Sequence, residues 1–278
     1  MKILRINICV EENTFTHGRR KKSIQSKAAA KNGSIVRRTN FLPILPDYFV
    51  IFFQKFQQFF AEYTPRALEK IHFLEKIGFT QFCLTPTYYN IPNFDHEYYD
   101  HFVSCKTATS MNMIIYNIPS CTSFFIPVDV IRQCAEEQLM IAIKESSGNK
   151  DYYLKLAAIA EKHNIELFQA NEPDFFWAVE HGTDGFVPVL GNYDPALYVK
   201  LCEAVLQNNL TGVKDIQAVI DTMREIILLG NKKWLAGIMY AVHTLGIGNG
   251  IPLLPTHEPP EEEKQKIKKY TTYKNISC

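Results

Sequence analysis

Residues 111–148, MNMIIYNIPSCTSFFIPVDVIRQCAEEQLMIAIKESSG, contain the pattern that decides the fold. An apolar segment, Met111 to Tyr116, is followed by a helix predicted from Pro127 to about Glu137 and by a second apolar segment, Leu139 to Ile143. Short segments that are apolar throughout, with amphipathic helices between them, are typical of parallel strands covered by helices. The stretch therefore predicts one strand–helix–strand unit of a parallel sheet.

The same alternation continues on both sides of this unit. Three further apolar strands are predicted, at Gln81 to Thr85, Ile165 to Gln169 and Gly185 to Leu190. Five strands in about 110 residues favour an α/β fold of the (β/α)8 TIM-barrel type over a doubly wound sheet, and no GxGxxG motif follows any strand. We predict a TIM barrel with C-terminal helices, whose N-terminal βα units are irregular or missing.

Three regions of different character divide the chain. Residues 1–60 form an irregular N-terminal segment, 61–210 the barrel portion, and 211–278 a C-terminal helical region. Eight Lys or Arg and no acid lie between residues 18 and 38, which suits a nucleic-acid arm, a targeting segment or a leader outside the fold; we favour the leader. The aromatic run from Tyr48 to Phe60 has the spacing of a helix face.

Composition excludes several classes of protein. The 278 residues are 46% hydrophobic and 21% charged, which is sufficient for a buried core. A net charge of +1 gives no reason to expect a nucleic-acid partner, and no apolar stretch is long enough for a membrane span. Seven cysteines without a CxxC motif and the absence of a signal-peptide pattern favour reduced thiols and a cytoplasmic location.

The chemistry of a parallel barrel collects at the carboxyl ends of its strands. Lys144 stands there, directly after an apolar segment. Burial disfavours an ammonium group and would lower its pKa from near 10.4, so that a neutral amine could attack a carbonyl carbon. A lysine that extends from the strand end into solvent explains the same residue equally well.

Tyr116 ends the strand before the lysine strand, so that the two side chains can meet in one barrel mouth. A phenol can relay protons for the formation and cleavage of an adduct on the amine, although a tyrosine taken alone is more often a packing residue. Metal chemistry is not indicated, because no HExxH motif occurs and His96 and His101 are five residues apart. We therefore expect no metal site.

Together these segments resemble the dihydrodipicolinate synthase / N-acetylneuraminate lyase family of pyruvate-dependent class I aldolases. The matching motifs are Pro86–Pro92 (PTYYNIP), Tyr116–Pro119 (YNIP) and Ile143–Gly148 (IKESSG). Their order and the 28 residues from Tyr116 to Lys144 carry most of the specificity. The resemblance covers the chain from about Tyr63 to its last residue.

The resemblance implies a Schiff-base-forming aldolase or lyase that acts on pyruvate or a related 2-keto acid. Lys144 would form the Schiff base and Tyr116 would relay protons, with Tyr89 as the second tyrosine of the relay. Tyr88 would reach towards a neighbouring subunit, and the backbone of Val187 would lie beside the Schiff base. A homo-oligomer, tetramer or dimer, is implied, with no metal, no organic cofactor and no nucleic-acid or membrane partner.

Departures from the family pattern define an alternative. The family's Gly-Thr-Thr-Gly-Glu motif, which binds the keto-acid carboxylate, is absent from the sequence. Cys121 stands where the synthase has a carboxylate-binding arginine, and Ala170 stands where the family has a glycine. The alternative is a degenerate, catalytically weak or inactive member that retains the lysine.

Overall fold

A computed structural model describes residues 5–6, 56–229 and 234–276 of the chain. Seven strands in this part form one parallel sheet in the order β1-β7-β6-β5-β4-β3-β2. The strands are β1 (Arg5–Ile6), β2 (Phe56–Phe59), β3 (Gln81–Leu84), β4 (Asn112–Asn117), β5 (Ala142–Glu145), β6 (Glu166–Gln169) and β7 (Gly185–Phe186). The five strands predicted between residues 81 and 190 are therefore confirmed.

Helices connect successive strands and cover the outer side of the sheet. Those of the barrel portion are α1 (Thr64–Lys76), α2 (Asp95–Thr107), α3 (Pro119–Thr122), α4 (Val128–Glu136), α5 (Lys150–His163), α6 (Phe175–Glu180) and α7 (Pro195–Leu206). Those that follow are α8 (Leu210–Ile227), α9 (Trp234–Thr244) and α10 (Glu261–Ile276), so the predicted tail contains a further helix. No helix in the described ranges is long and apolar enough to cross a membrane.

The aromatic run does not form the predicted helix where the structure describes it. Phe56–Phe59 is a strand that pairs in parallel with Gln81–Leu84. Phe59 packs on the outer side, stacked against Phe82 with ring centroids 6.3 Å apart. The helical spacing was misleading because the backbone hydrogen bonds of this segment come from a distant partner strand, and a local sequence pattern contains no information about that strand. Residues 48–55 of the run lie outside the described part.

Two strands thus come from the segment predicted to be irregular. β2 extends the sheet beyond the proposed boundary at residue 61, and β1 pairs with β7. Residues 7–55 lie outside the description, so the expectation that residues 1–60 lack three regular βα units stays a prediction. The division at residue 210 likewise stays a proposal.

β5 begins and ends later than the predicted Leu139–Ile143. It spans Ala142–Glu145, so that Lys144 lies within the strand and not after it. Leu139 instead closes the preceding helix, where its N–H donates to Cys134 O at 2.9 Å. The strand includes two charged residues because pairing with β4 continues through Tyr116 and Asn117.

Successive side chains along each strand point alternately to the outer and the inner side of the sheet, which gives a large outer core and a small inner core. Phe82 and Leu84 belong to the outer core, which α1, α2, α4 and α5 cover. Cys83, between them, belongs to the inner cluster with five other buried residues. These are Ile114, Tyr116, Ala142, Phe168 and Val187. Side chains that alternate in this way point to opposite sides of a sheet.

A buried carboxylate joins the end of β6 to the C-terminal helices. Glu172 Oε1 accepts hydrogen bonds from Leu190 N at 2.9 Å and from Tyr198 OH at 3.1 Å, and Oε2 lies 3.5 Å from an Arg224 guanidinium nitrogen. Gln217 Nε2 donates to Glu172 O at 3.0 Å. Burial, only partly offset by these contacts, raises the pKa of Glu172.

A buried histidine connects the ends of two strands. His101 Nε2 lies 3.3 Å from Thr85 O, after β3, and Nδ1 lies 2.9 Å from Thr64 Oγ1, at the start of α1 after β2. These contacts fit a neutral ring that donates through Nε2 and accepts at Nδ1. Burial lowers the pKa of His101 from 6.5 to about 4.

We expect His101 to make folding less stable in acid. As the pH falls, the ring takes up its proton near pH 6.5 in the unfolded chain but only near pH 4 in the folded chain. The unfolded state therefore binds more protons in this window, and up to ~3 kcal/mol of stability is lost as the pH falls from 6.5 to 4. Urea unfolding at several pH values should show a shallower decline for His101→Gln than for the wild type.

The exposed His96, whose ring stacks on Phe94, offers the matched control His96→Gln. Because burial also raises the pKa of Glu145 and Glu172, the effect of His101 is the difference in pH dependence between His101→Gln and the wild type. Equal pH dependence in wild type and His101→Gln would contradict the assignment of a neutral histidine.

Candidate active site at the carboxyl ends of the strands

The register of the sheet sets candidate residues side by side. Tyr116 on β4 is the direct partner of Lys144 on β5, and Lys144 is the partner of Phe168 on β6. Tyr116 and Phe168 both belong to the inner cluster. Because paired residues of parallel strands point to the same side, the Lys144 side chain also lies inside the sheet.

Lys144 is buried, with 5% of its surface exposed. Its Nζ donates to Gln58 Oε1 at 2.5 Å and lies 3.9 Å from the centroid of the Tyr116 ring. Desolvation disfavours the ammonium form, whereas the amide oxygen and the negative face of the aromatic ring favour it. The three residues thus hold an amine at a defined position in an otherwise apolar interior.

The Tyr116 hydroxyl lies next to this amine. It is 3.2 Å from Ser146 Oγ, which follows β5. Burial raises the pKa of Tyr116, an effect that the charge of Lys144 and the hydrogen bond with Ser146 partly offset. The phenol is therefore protonated at neutral pH and can donate a proton to a group bound at Lys144.

The residue after the lysine anchors the site from the other side of the sheet. Glu145 accepts hydrogen bonds from Asn117 Nδ2 at 2.8 Å and from Ser147 N at 2.5 Å, and Asn117 Oδ1 accepts from Ile126 N at 3.0 Å. Burial is the main cause that raises the pKa of Glu145. These bonds fix the turn after β5 and with it the position of Ser146.

Two other candidate residues lie close to the pair. Val187 and Ala170 contribute to the same inner cluster as Tyr116, and Val187 N donates to Gln169 O at 2.9 Å. Cys121 does not join them, since it is exposed on the short helix α3. The structure therefore places Val187 and Ala170 in the inner cluster beside Tyr116, whereas Cys121 is exposed.

The paired tyrosines lie in the segment after β3. Tyr89 exposes 84% of its surface and Tyr88 exposes 37%. The Tyr88 hydroxyl donates to Glu62 Oε1 at 2.8 Å, and this bond is the main reason that the pKa of Tyr88 is raised. Within the described residues, neither hydroxyl is hydrogen-bonded to Lys144 or Tyr116.

Gln58 is the site residue that the sequence pattern missed. It lies on β2, three strands away from β5 in the sheet, and its side chain nonetheless reaches the Lys144 amine. The sequence signal that could have revealed it is a glutamine within a run of phenylalanines, shortly before the helix start at Thr64. In the part of the chain that is described, no group of three or more His, Cys, Asp or Glu could hold a metal ion.

Sequence comparison connects the chain to one family. The model of the dihydrodipicolinate synthetase family matches residues 61–274. A 4-hydroxy-tetrahydrodipicolinate synthase of Kosmotoga olearia is 25% identical over 209 residues, which cover 74% of this chain and 70% of that protein. The chain spans 65% to 70% of the length of the first curated relatives that it matches.

Solved structures give the same fold. A monomeric dihydrodipicolinate synthase variant superposes with a TM-score of 0.74 at 17% identity, over 81% of this chain and 75% of that one. The CdNal protein of Clostridium difficile in complex with mannosamine gives a TM-score of 0.72 at 18% identity, over 80% and 75% of the two chains. Both likenesses confirm the TIM-barrel prediction.

We expect Gln58 to stabilise the protonated form of the Lys144 amine. A hydrogen bond to a charged group contributes ~1.5–3 kcal/mol, and 1.36 kcal/mol corresponds to one pH unit. In Gln58→Ala, reductive methylation of Lys144 by formaldehyde and borohydride should therefore reach half its maximum at a lower pH than in the wild type. Peptide mass spectrometry measures the labelled fraction.

Gln57→Ala serves as the matched control, since the neighbouring side chain points to the other side of β2. An unchanged labelling profile in Gln58→Ala would show that the amide contributes nothing to the charge state of Lys144.

Proposed function

Since the chain belongs to the dihydrodipicolinate synthetase family, we propose that it is a Schiff-base-forming aldolase or lyase acting on pyruvate or a related 2-keto acid. The observation that supports this most directly is the buried Lys144 amine, 3.9 Å from the Tyr116 ring at the carboxyl end of the sheet. An amine in an apolar interior beside a protonated phenol is suited to attack on a ketone.

In the first step, the neutral Lys144 amine attacks the carbonyl carbon of the keto acid. A nitrogen–carbon bond forms, and the carbonyl oxygen takes up a proton to give a carbinolamine. Loss of this oxygen as water leaves the Schiff base. We assign Tyr116 as the donor of the proton that the departing hydroxyl needs, with Ser146 Oγ, 3.2 Å away, as its partner in the relay.

In the second step, the cationic Schiff base withdraws electrons from the neighbouring carbon. We assign the removal of a proton from that carbon to the Tyr116 phenolate that the first step leaves, which restores the phenol and gives an enamine. The enamine carbon forms a bond to an electrophilic carbonyl carbon, whose oxygen takes up a proton; the reverse sequence cleaves the carbon–carbon bond. The apolar side chains of Val187 and Ala170 form a wall that limits the access of water to these intermediates. The proposed chemistry uses no metal and no organic cofactor.

The identity of the electrophile that the enamine attacks is a separate question. One similar protein is named a synthase and another was solved in complex with mannosamine, so their names do not point to the same electrophile. Cys121, exposed on α3, cannot form two charge-assisted hydrogen bonds with a carboxylate as an arginine can. We therefore propose that an aldehyde without a carboxylate is a better electrophile for this chain than aspartate semialdehyde.

Tyr89 and Tyr88 keep their proposed roles at the edge of the site. Tyr89 is proposed as the second tyrosine of the relay, and Tyr88, which is also partly exposed, is proposed to reach towards a neighbouring subunit. A homo-oligomer, tetramer or dimer, remains part of the proposal.

The alternative, a degenerate member that binds a keto acid without turnover, has one observation in its favour. Gln58 Oε1 is hydrogen-bonded to the amine that must attack the substrate. Trapping of a keto acid on Lys144 without any exchange of its C3 protons would favour this alternative over the aldolase.

We expect pyruvate and borohydride to add a reduced three-carbon group to Lys144. Intact-mass and peptide mass spectrometry should locate the adduct on this lysine in the wild type and in Lys150→Ala, which removes an exposed lysine of α5. An adduct of equal yield in Lys144→Ala would rule out Lys144 as the nucleophile.

We expect Tyr116→Phe to slow proton transfer by roughly 10²-fold or more, the usual contribution of a general acid or base. Exchange of the pyruvate methyl protons with deuterated water, followed by NMR, measures enamine formation without knowledge of the electrophile. Tyr153→Phe is the matched control, because Tyr153 is buried in the outer core. If Tyr116→Phe exchanges at the wild-type rate with an intact fold, the tyrosine serves only for packing.

A further inference from the structure

A second polar side chain lies buried beside the Lys144–Tyr116 pair. Thr85, directly after β3, has no exposed surface. Its hydroxyl has no hydrogen-bond partner among the described residues. A buried hydroxyl without a partner destabilises the folded state, and such a group in a native protein calls for a reason.

The register of the sheet gives the direction of this side chain. Leu84 pairs with Ile115 on β4 and with Phe59 on β2, so the next residue, Thr85, lies between Tyr116 and Phe60. Cys83, two residues earlier on the same strand, belongs to the inner cluster. Alternation therefore directs the Thr85 hydroxyl to the inside of the sheet, on the side of Tyr116 and Lys144.

The neighbouring polar groups already have partners. Ser146 Oγ is paired with the Tyr116 hydroxyl, and Gln58 Oε1 accepts from Lys144. The backbone of Thr85 is held by His101, whose Nε2 lies 3.3 Å from its carbonyl oxygen. Thr85 thus presents a hydroxyl donor from a fixed backbone position beside Tyr116, on the inner side of the sheet that also holds the Lys144 side chain.

We propose that the Thr85 hydroxyl binds the carboxylate of a 2-keto acid that is attached to Lys144. A carboxylate in an apolar interior needs hydrogen-bond donors, and Thr85 supplies one there. This inference rests on the proposed function, because it requires the Schiff base at Lys144.

The test compares Thr85→Val, which keeps the shape but removes the hydroxyl, with Thr85→Ser, which keeps the hydroxyl. The measured quantity is the pyruvate concentration that gives half-maximal borohydride trapping on Lys144. We expect Thr85→Val to raise it ~10-fold or more, as is typical for the loss of a hydrogen bond to a charged group, and Thr85→Ser to stay within a few-fold of the wild type.

Hydroxyacetone, a ketone without a carboxylate, gives the specific readout. Its half-saturating concentration should be the same in wild type and Thr85→Val, since the hydroxyl has no carboxylate to bind. Thr183→Val, at a buried threonine before β7 and therefore at the opposite end of the sheet, should change neither ketone's value. Thermal unfolding of each variant confirms that the fold is retained.

The possible failures are distinct. If pyruvate is not trapped on Lys144 even in the wild type, the proposed function is wrong and the role of Thr85 is wrong with it. If the wild type is trapped but Thr85→Val has the wild-type half-saturating concentration, only the role of Thr85 is wrong. An equal loss for pyruvate and hydroxyacetone would also overturn it, because the hydroxyl would then position the site and not bind a carboxylate.

Discussion

The burial of the Lys144 amine inside a parallel sheet is the constraint on which the arrangement of its neighbours depends. An amine in an apolar interior is stable only when nearby groups compensate for the water that it has lost. The Tyr116 ring and the Gln58 amide provide this compensation, from β4 and β2 respectively. Strands far apart in sequence must therefore be in register before the lysine can be accommodated.

Polar groups on the outer side of the sheet keep the strand ends in place. Glu145 fixes the turn after β5, His101 joins the ends of β2 and β3, and Glu172 joins the end of β6 to α8. Each of these groups is buried and hydrogen-bonded, as buried polar groups must be. The inner side is left with a small set of functional side chains whose backbone positions are set from outside.

The anchoring of the strand ends from the outer side affects which residues the inner side can hold. A site whose strand ends are anchored in this way can exchange one inward polar residue for another without a change of fold. Gln58 on β2 and Thr85 directly after β3 are two inward polar residues of the described part, and both lie on the side of the sheet that holds Lys144 and Tyr116.

Much of the fold followed from periodicity, since apolar strands and amphipathic helices leave strong local signals. β3 to β7 were predicted with ends shifted by a few residues, and the motifs around Tyr116 and Lys144 predicted which two side chains would meet. Local patterns failed where long-range pairing decides the conformation. Phe56–Phe59 has helical spacing but forms a strand, because its partner lies 25 residues further along the chain.

The sequence by itself determined the family, the parallel sheet and the lysine–tyrosine pair, because local motifs and the alternation of apolar segments with amphipathic helices encode them. Only the tertiary structure decided which residues surround the amine. Gln58 reaches Lys144 across 86 positions of sequence, and Thr85 faces Tyr116 only through the register of two strands. Such contacts arise when the sheet curves and brings the inward side chains of separate strands together, and no local pattern encodes that curvature.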